Sequence, residues 1–144
     1  MTEVAFHFNA PQKLAYACRL LRKAYLKGAQ LVVLVPDGQV TELDQALWLM
    51  APGEFVPHSV PGDPPLVQDR SPIRIVTTLP EAGDQTVLLN LRDEAPQGFE
   101  RFERVIDVVT LDDADRQHAR HRWRHYQAAG IEPQRRDLKL APRD

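Results

Sequence analysis

His118, His121 and His125 are spaced three and four apart. On one helix those spacings bring imidazoles to one face, as a transition-metal site requires. Arg116, Arg120, Arg122 and Arg124 stand among them, and no Asp or Glu falls inside the run. That field opposes a dication, and no carboxylate is at hand to ligate it or orient a ring. A solvated basic face is the better reading, and no metal is expected. The arginines have chemistry of their own. Arg116, Arg120 and Trp123 step by four and three, so they share one helical face, with Arg124 beside Trp123. Val109, at the end of the preceding strand, falls next to that face. An apolar seat flanked by guanidiniums suits a peptide ending in an aromatic residue. Two parallel N–H donors clamp its terminal carboxylate while the ring fills the seat. Two other readings remain open on pattern alone. In one the helix is solvated and Trp123 packs inward. In the other the arginines hold phosphates of single-stranded nucleic acid and Trp123 stacks on a base.

Other chemistry finds little support. Cys18 lies on an apolar stripe with Leu14, Leu21 and Tyr25, which reads as a buried, inert thiol. A dinucleotide or phosphate site needs glycines after the first strand, where backbone amides approach the ligand. Here that turn is Asn9-Ala10-Pro11-Gln12, and Pro11 removes an amide. No Ser or Cys nucleophile with local context and no paired carboxylates are visible, so no catalytic residue and no cofactor are expected. The stretch Thr41–His58 is unusual in another way. Trp48 and Phe55 sit beside polar residues rather than in an apolar run, the pattern of a surface gripped by other proteins.

The elements that position these residues alternate in type. Val4, Phe6 and Phe8 alternate with smaller or polar residues and predict a strand. A helix follows from Pro11 to a Gly28 stop. Leu31–Val35 reads as a central strand, and Thr41 predicts the cap of a helix that carries Leu43, Ala46, Leu47 and Met50 on its inner face, with Asp44 near its N-terminal amides. Residues 51–72 hold half of the twelve prolines and predict a long connection, with a short extended piece at Phe55-Val56-Pro57. Ile73–Thr77, Thr86–Asn90 and Arg104–Val109 read as strands, the last of the chain being Arg104–Val109. A short helix is predicted over Pro96–Phe102. A final helix is predicted from a cap at Asp112 or Asp113 to about Ala129. The expected architecture is a single α/β domain over residues 1–130. Its mostly parallel central sheet is flanked by helices, in a nucleotide-binding-like layout without a nucleotide site, and residues 131–144 form a polar tail.

The chain has 144 residues, enough for one domain with a core, and a formal net charge of -2, which gives no bulk attraction for nucleic acid. A lone cysteine fits a reducing cytosol. No apolar run approaches the roughly 20 residues that span a bilayer, and the N-terminus lacks a signal-peptide layout, so a cytoplasmic protein without membrane contact is expected.

Three segments point to one family. They are LDQALW (Leu43–Trp48) followed by FVPH (Phe55–His58), LLNLRDEAPQGFERFERVIDVV (Leu88–Val109), and ARHRWRHYQAAG (Ala119–Gly130). Together they resemble the chi-subunit family of the bacterial DNA polymerase III holoenzyme, from Phe6 to about Gly130. The resemblance implies a non-catalytic accessory protein of the clamp-loader complex. It would bridge the replicase to single-stranded DNA-binding protein by holding that protein's acidic C-terminal tail, which ends in Pro-Phe. By motif match the tail site falls at Val109, Arg116, Arg120, Trp123 and Arg124, with tryptophan where the family often has tyrosine. A second face, matching Trp48 and Phe55 with Pro57 and His58 nearby, would bind the psi subunit. In an organism without psi, that face would meet another clamp-loader subunit or a helicase. Contact with DNA would be indirect.

Overall fold

The computed structural model describes residues 2–50, 53 and 55–138. Their strands are β1 (Glu3–Ala10), β2 (Leu31–Leu34), β3 (His58–Ser59), β4 (Ile73–Val76), β5 (Val87–Asn90), β6 (Arg104–Thr110) and β7 (Gln134–Asp137). The helices are α1 (Lys13–Leu26), α2 (Val40–Trp48), α3 (Pro65–Arg70) and α4 (Asp113–Ala128). The strands form one sheet in the order β3-β4-β2-β5-β6-β1-β7, and each described pairing is parallel. This is the expected α/β architecture.

Side chains alternate across the sheet and make two cores. Leu31, Val33, Ile73, Ile75 and Val108 meet Cys18 and Leu21 of α1 and Leu43 and Leu47 of α2. On the other face, Val4, Phe6, Val32, Leu88 and Val109 meet Ala119 and Tyr126 of α4, with Phe99 and Phe102. Parallel strands covered on both faces need unbroken apolar runs, which is why Leu31–Leu34 is wholly buried. β1 breaks its alternation at Asn9, whose φ of 71° accompanies a register shift between His7 and Ala10. Phe8 therefore stays on the α4 side while Ala10 joins the α1 side.

Several local expectations are corrected. Val40 opens α2 after a 3₁₀ turn at Asp37–Gln39, so Thr41 lies inside the helix rather than capping it. Glu42, not Asp44, is the acidic residue of its first turn, and Asp44 Oδ1 lies 2.6 Å from Nε2 of His58. The proline-rich connection contains α3, and its extended piece is His58–Ser59, one residue beyond Pro57. Between Pro96 and Phe102 only a 3₁₀ turn at Phe99–Arg101 forms, after Gly98 in the left-handed region. Beyond Gly130 the chain adds a seventh strand, β7, which pairs with β1 from Ala5 to Phe8. The remainder of the polar tail, 139–144, lies outside the described residues.

The carboxyl ends of the strands, where ligands of such sheets bind, are occupied by the chain's own side chains. Arg92, just past β5, donates from Nε to the Val35 carbonyl (3.2 Å) and from Nη2 to the Thr77 carbonyl, and pairs with Asp37. Asp115 accepts from the Thr110 amide (2.7 Å) and hydroxyl and pairs with Lys13 at 2.9 Å, tying the starts of α1 and α4 to the end of β6.

His7 is buried in β1 with Nδ1 2.6 Å from the Tyr16 hydroxyl. Burial, then the charges of Arg136 and Arg104, lower its pKa from 6.5 to about 4. Between those values the unfolded chain binds a proton that the native ring refuses. Stability is therefore complete above pH 6.5 and falls as pH drops toward 4, by about 2–3 kcal/mol from this group. Urea titrations of wild type and His7→Gln across this window should diverge, the variant showing the flatter profile. Parallel profiles would remove His7 as the cause.

Candidate functional site

α4 is built for two faces. Asp112 caps it by accepting from the Asp115 amide at 3.0 Å, and acidic residues fill its first turn, where the helix dipole favours them. Ala119, Arg122 and Tyr126 form the buried stripe against the sheet. One step round, Arg116, Arg120, Trp123 and Arg124 line a cleft of about 310 Å³ together with Phe8, Ala119, Gln127 and Arg135. Four of the five residues singled out for a peptide site are thus brought to one cleft. Val109, the fifth, is fully buried in the core layer on which Phe8 and Trp123 pack, so it supports the cleft from beneath.

The floor of the cleft is aromatic. Trp123 has its ring centroid 5.0 Å from Phe6 and 6.4 Å from Phe8. The guanidinium carbon of Arg135, from β7, sits 4.2 Å above the Phe8 ring. Each charged residue lining the cleft is an arginine. Phe8 and Arg135 were missed in the sequence. Phe8 carried a signal, as the third large residue on one strand face, whereas Arg135 lay in a stretch without pattern.

Arg122 does not belong to the basic surface read from sequence. Its side chain is 1% exposed, and its Nε lies 3.0 Å from Oδ1 of Asp107, which is fully buried. Nη1 of Arg122 donates to the Asp93 carbonyl (2.8 Å), and Asn90 Nδ2 donates to Asp107 Oδ1 (2.8 Å). Burial pushes the Asp107 carboxyl up, against the opposing pull of Arg122 and of the hydrogen bond from Asn90. Burial and the Asp107 charge push the Tyr126 phenol up as well. The signal was Asp107 itself. A carboxylate inside the apolar strand RVIDVV requires a buried cation.

The three histidines fall on the flank of α4 away from the cleft. The fold brings Asp93 and Glu94 beside them from the β5–β6 connection, which sequence spacing could not show. His118 stands 3.8 Å from Asp93, and the His125 ring packs at 6.0 Å from Phe99. Among the described residues, no three His, Cys, Asp or Glu side chains converge as metal ligands.

At the opposite edge of the sheet lies the second set. Trp48 is 62% exposed and Phe55 44%, with ring centroids 4.6 Å apart. Leu49, beside them in sequence, is also exposed, and Pro57 is half-buried. His58 differs from the other three residues expected on this face, because its side chain is only 1% exposed. Its Nδ1 donates to the Val56 carbonyl (2.7 Å), and its Nε2 lies 2.6 Å from Asp44 Oδ1. His58 therefore ties the segment that carries Phe55 to the helix that carries Trp48.

These features define a parallel α/β domain with plugged strand ends, an arginine-lined aromatic cleft at one edge and an exposed aromatic pair at the other. Residues 1–134 match the family described as DNA polymerase III chi subunit, HolC, and the chain belongs to that family. It is 33% identical to the DNA polymerase III subunit chi of Pseudomonas aeruginosa over 135 residues, covering 90% of this chain and 92% of the relative. It is 32% identical over 117 residues to the protein of that name from Haemophilus influenzae, covering 79% of each. The corresponding protein of Escherichia coli K12 is 28% identical over 116 residues, covering 79% of this chain and 78% of that one. As a subunit of a DNA replication enzyme, the chain has its partners within the polymerase III holoenzyme. Among the described residues no helix is long and apolar enough to cross a membrane.

Proposed function

We propose that this chain is a non-catalytic tether. It holds the acidic C-terminal tail of single-stranded DNA-binding protein in the α4 cleft, and it joins the clamp loader through the Trp48–Phe55 face by way of a psi subunit. The observation that carries this reading is the cleft itself, in which Arg116, Arg120, Arg124 and Arg135 surround an aromatic floor with no acidic residue in the lining. A terminal carboxylate supplies the bidentate partner that a guanidinium prefers, and a terminal phenylalanine ring fits against Trp123 and Phe8. Acidic residues further back in the tail meet the remaining arginines. Each contact is weak, but many tails on a coated template raise the local concentration.

The test is a calorimetric titration with a short acidic peptide ending in Pro-Phe, beside the same peptide lacking its last residue. Micromolar-range binding that depends on the phenylalanine is expected. Arg120→Ala should weaken it by about 1–3 kcal/mol by leaving a carboxylate unpaired. Wild-type affinity in that variant would sink the assignment. The alternative, direct binding of single-stranded nucleic acid, uses the same arginines. It is disfavoured by Trp123, which is half-buried against Phe6 and offers less of its face for a base. Strongly salt-dependent binding of a bare oligonucleotide would favour it instead.

A further inference from the structure

We propose that Arg135 is a specificity-determining residue of the cleft, one that reads a carboxylate upstream of the peptide's terminal residue. This rests on the tail-site reading above and extends it to β7. The register of β7 on β1 places Arg135 opposite Phe6, so its side chain rises on the α4 face of the sheet. The cleft therefore has two walls. α4 supplies Arg116, Arg120 and Arg124, and β7 supplies Arg135 from across the Phe8 ring.

Arg135 is held before any ligand arrives. Its guanidinium carbon sits 4.2 Å from the Phe8 ring centroid, and its Nε donates to the Asp137 carboxylate at 2.9 Å. It is still about half exposed, and among the described residues its Nη groups have no hydrogen-bond partner. A pre-positioned guanidinium loses less freedom on pairing than a free one. A peptide whose carboxy-terminus is clamped from α4 must leave the cleft past one of its walls. The β7 wall offers a cation to an acidic side chain there, and a neutral side chain gains nothing from it.

The experiment is a double-mutant cycle on the full chain by fluorescence anisotropy. The probes are a peptide with aspartates upstream of a terminal phenylalanine and the same peptide with those aspartates changed to asparagine. Wild type should prefer the acidic peptide, and Arg135→Ala should lose about 2- to 5-fold toward it. The asparagine peptide should lose less than the acidic one on the same substitution, and the difference between the two losses is the coupling. Amidation of the peptide's terminus should weaken both proteins equally, since that group belongs to α4. Full discrimination retained by Arg135→Ala would overturn the role of Arg135 while leaving the cleft reading intact. Failure of wild type to bind either peptide would overturn both.

Discussion

Replacing Arg122 with alanine is expected to destabilise the protein by about 3–5 kcal/mol, the largest effect of any arginine on α4. The other arginines there are exposed or half-buried, whereas Arg122 is the ion-pair partner of a carboxylate with no access to water. Truncation leaves Asp107 buried with Asn90 and Tyr126 as its remaining polar neighbours, and it leaves the Asp93 carbonyl without its donor. The penalty should depend on pH. Loss of the cation pushes the already raised Asp107 carboxyl higher still. A folded-state value above the unfolded one means that the native state binds the proton more readily, so stability is kept at low pH and lost as pH rises through the folded value. The difference between Arg122→Ala and wild type should therefore shrink toward acid. Replacing both partners, as in Arg122→Met with Asp107→Leu, should recover much of the loss. Urea midpoints across pH check all three statements. A loss below about 1 kcal/mol in the single variant would mean that water already reaches the pair.

Trp48→Ala should produce the opposite profile, with little change in stability and a loss of about 2–4 kcal/mol in partner affinity. Trp48 is mostly in solvent, and its main intramolecular contact is the Phe55 ring. Removing it forfeits about 0.5–1.5 kcal/mol of ring pairing at most. A large, rigid, exposed aromatic pair is what an interface uses as an anchor, because desolvating it costs little order. Co-purification of the variant with the clamp loader should fail, while its titration with the acidic peptide stays at the wild-type value. Loss of both would point to a shared site or to misfolding, and loss of neither would remove this face from the interaction.

The sequence disclosed what apolar patterning encodes. Val4, Phe6 and Phe8, the run Leu31–Val35 and the Asp112 cap all stand where pattern put them, and so does the run Arg116–Arg124 on one helix. Four of the five cleft residues were readable because helical spacing fixes neighbours on a face. What stayed hidden depends on pairing across the sheet. β7 is exposed at every residue, so it has no hydrophobic pattern, and it is a strand only because β1 offers an unpaired edge. Arg135 was hidden with it. Arg122 was misread because an arginine's surroundings are set by its partner, and Asp107 lies on another element. His58 was legible as part of a motif, but its inward turn follows from Asp44, fourteen residues away.

The strand order has a geometric consequence. β3 and β7 are the two ends of one hydrogen-bonded sheet, six strand spacings apart. At about 4.8 Å per spacing, that is a span of roughly 29 Å without a hinge. Adjacent strands also rotate by roughly 20–25°, so the two edge strands point in directions that differ by something like 120–150°. The two edges are then set at an angle to each other. Whatever docks at the two edges is held out of each other's way and at a fixed bearing, and a pull on one is passed to the other through backbone hydrogen bonds.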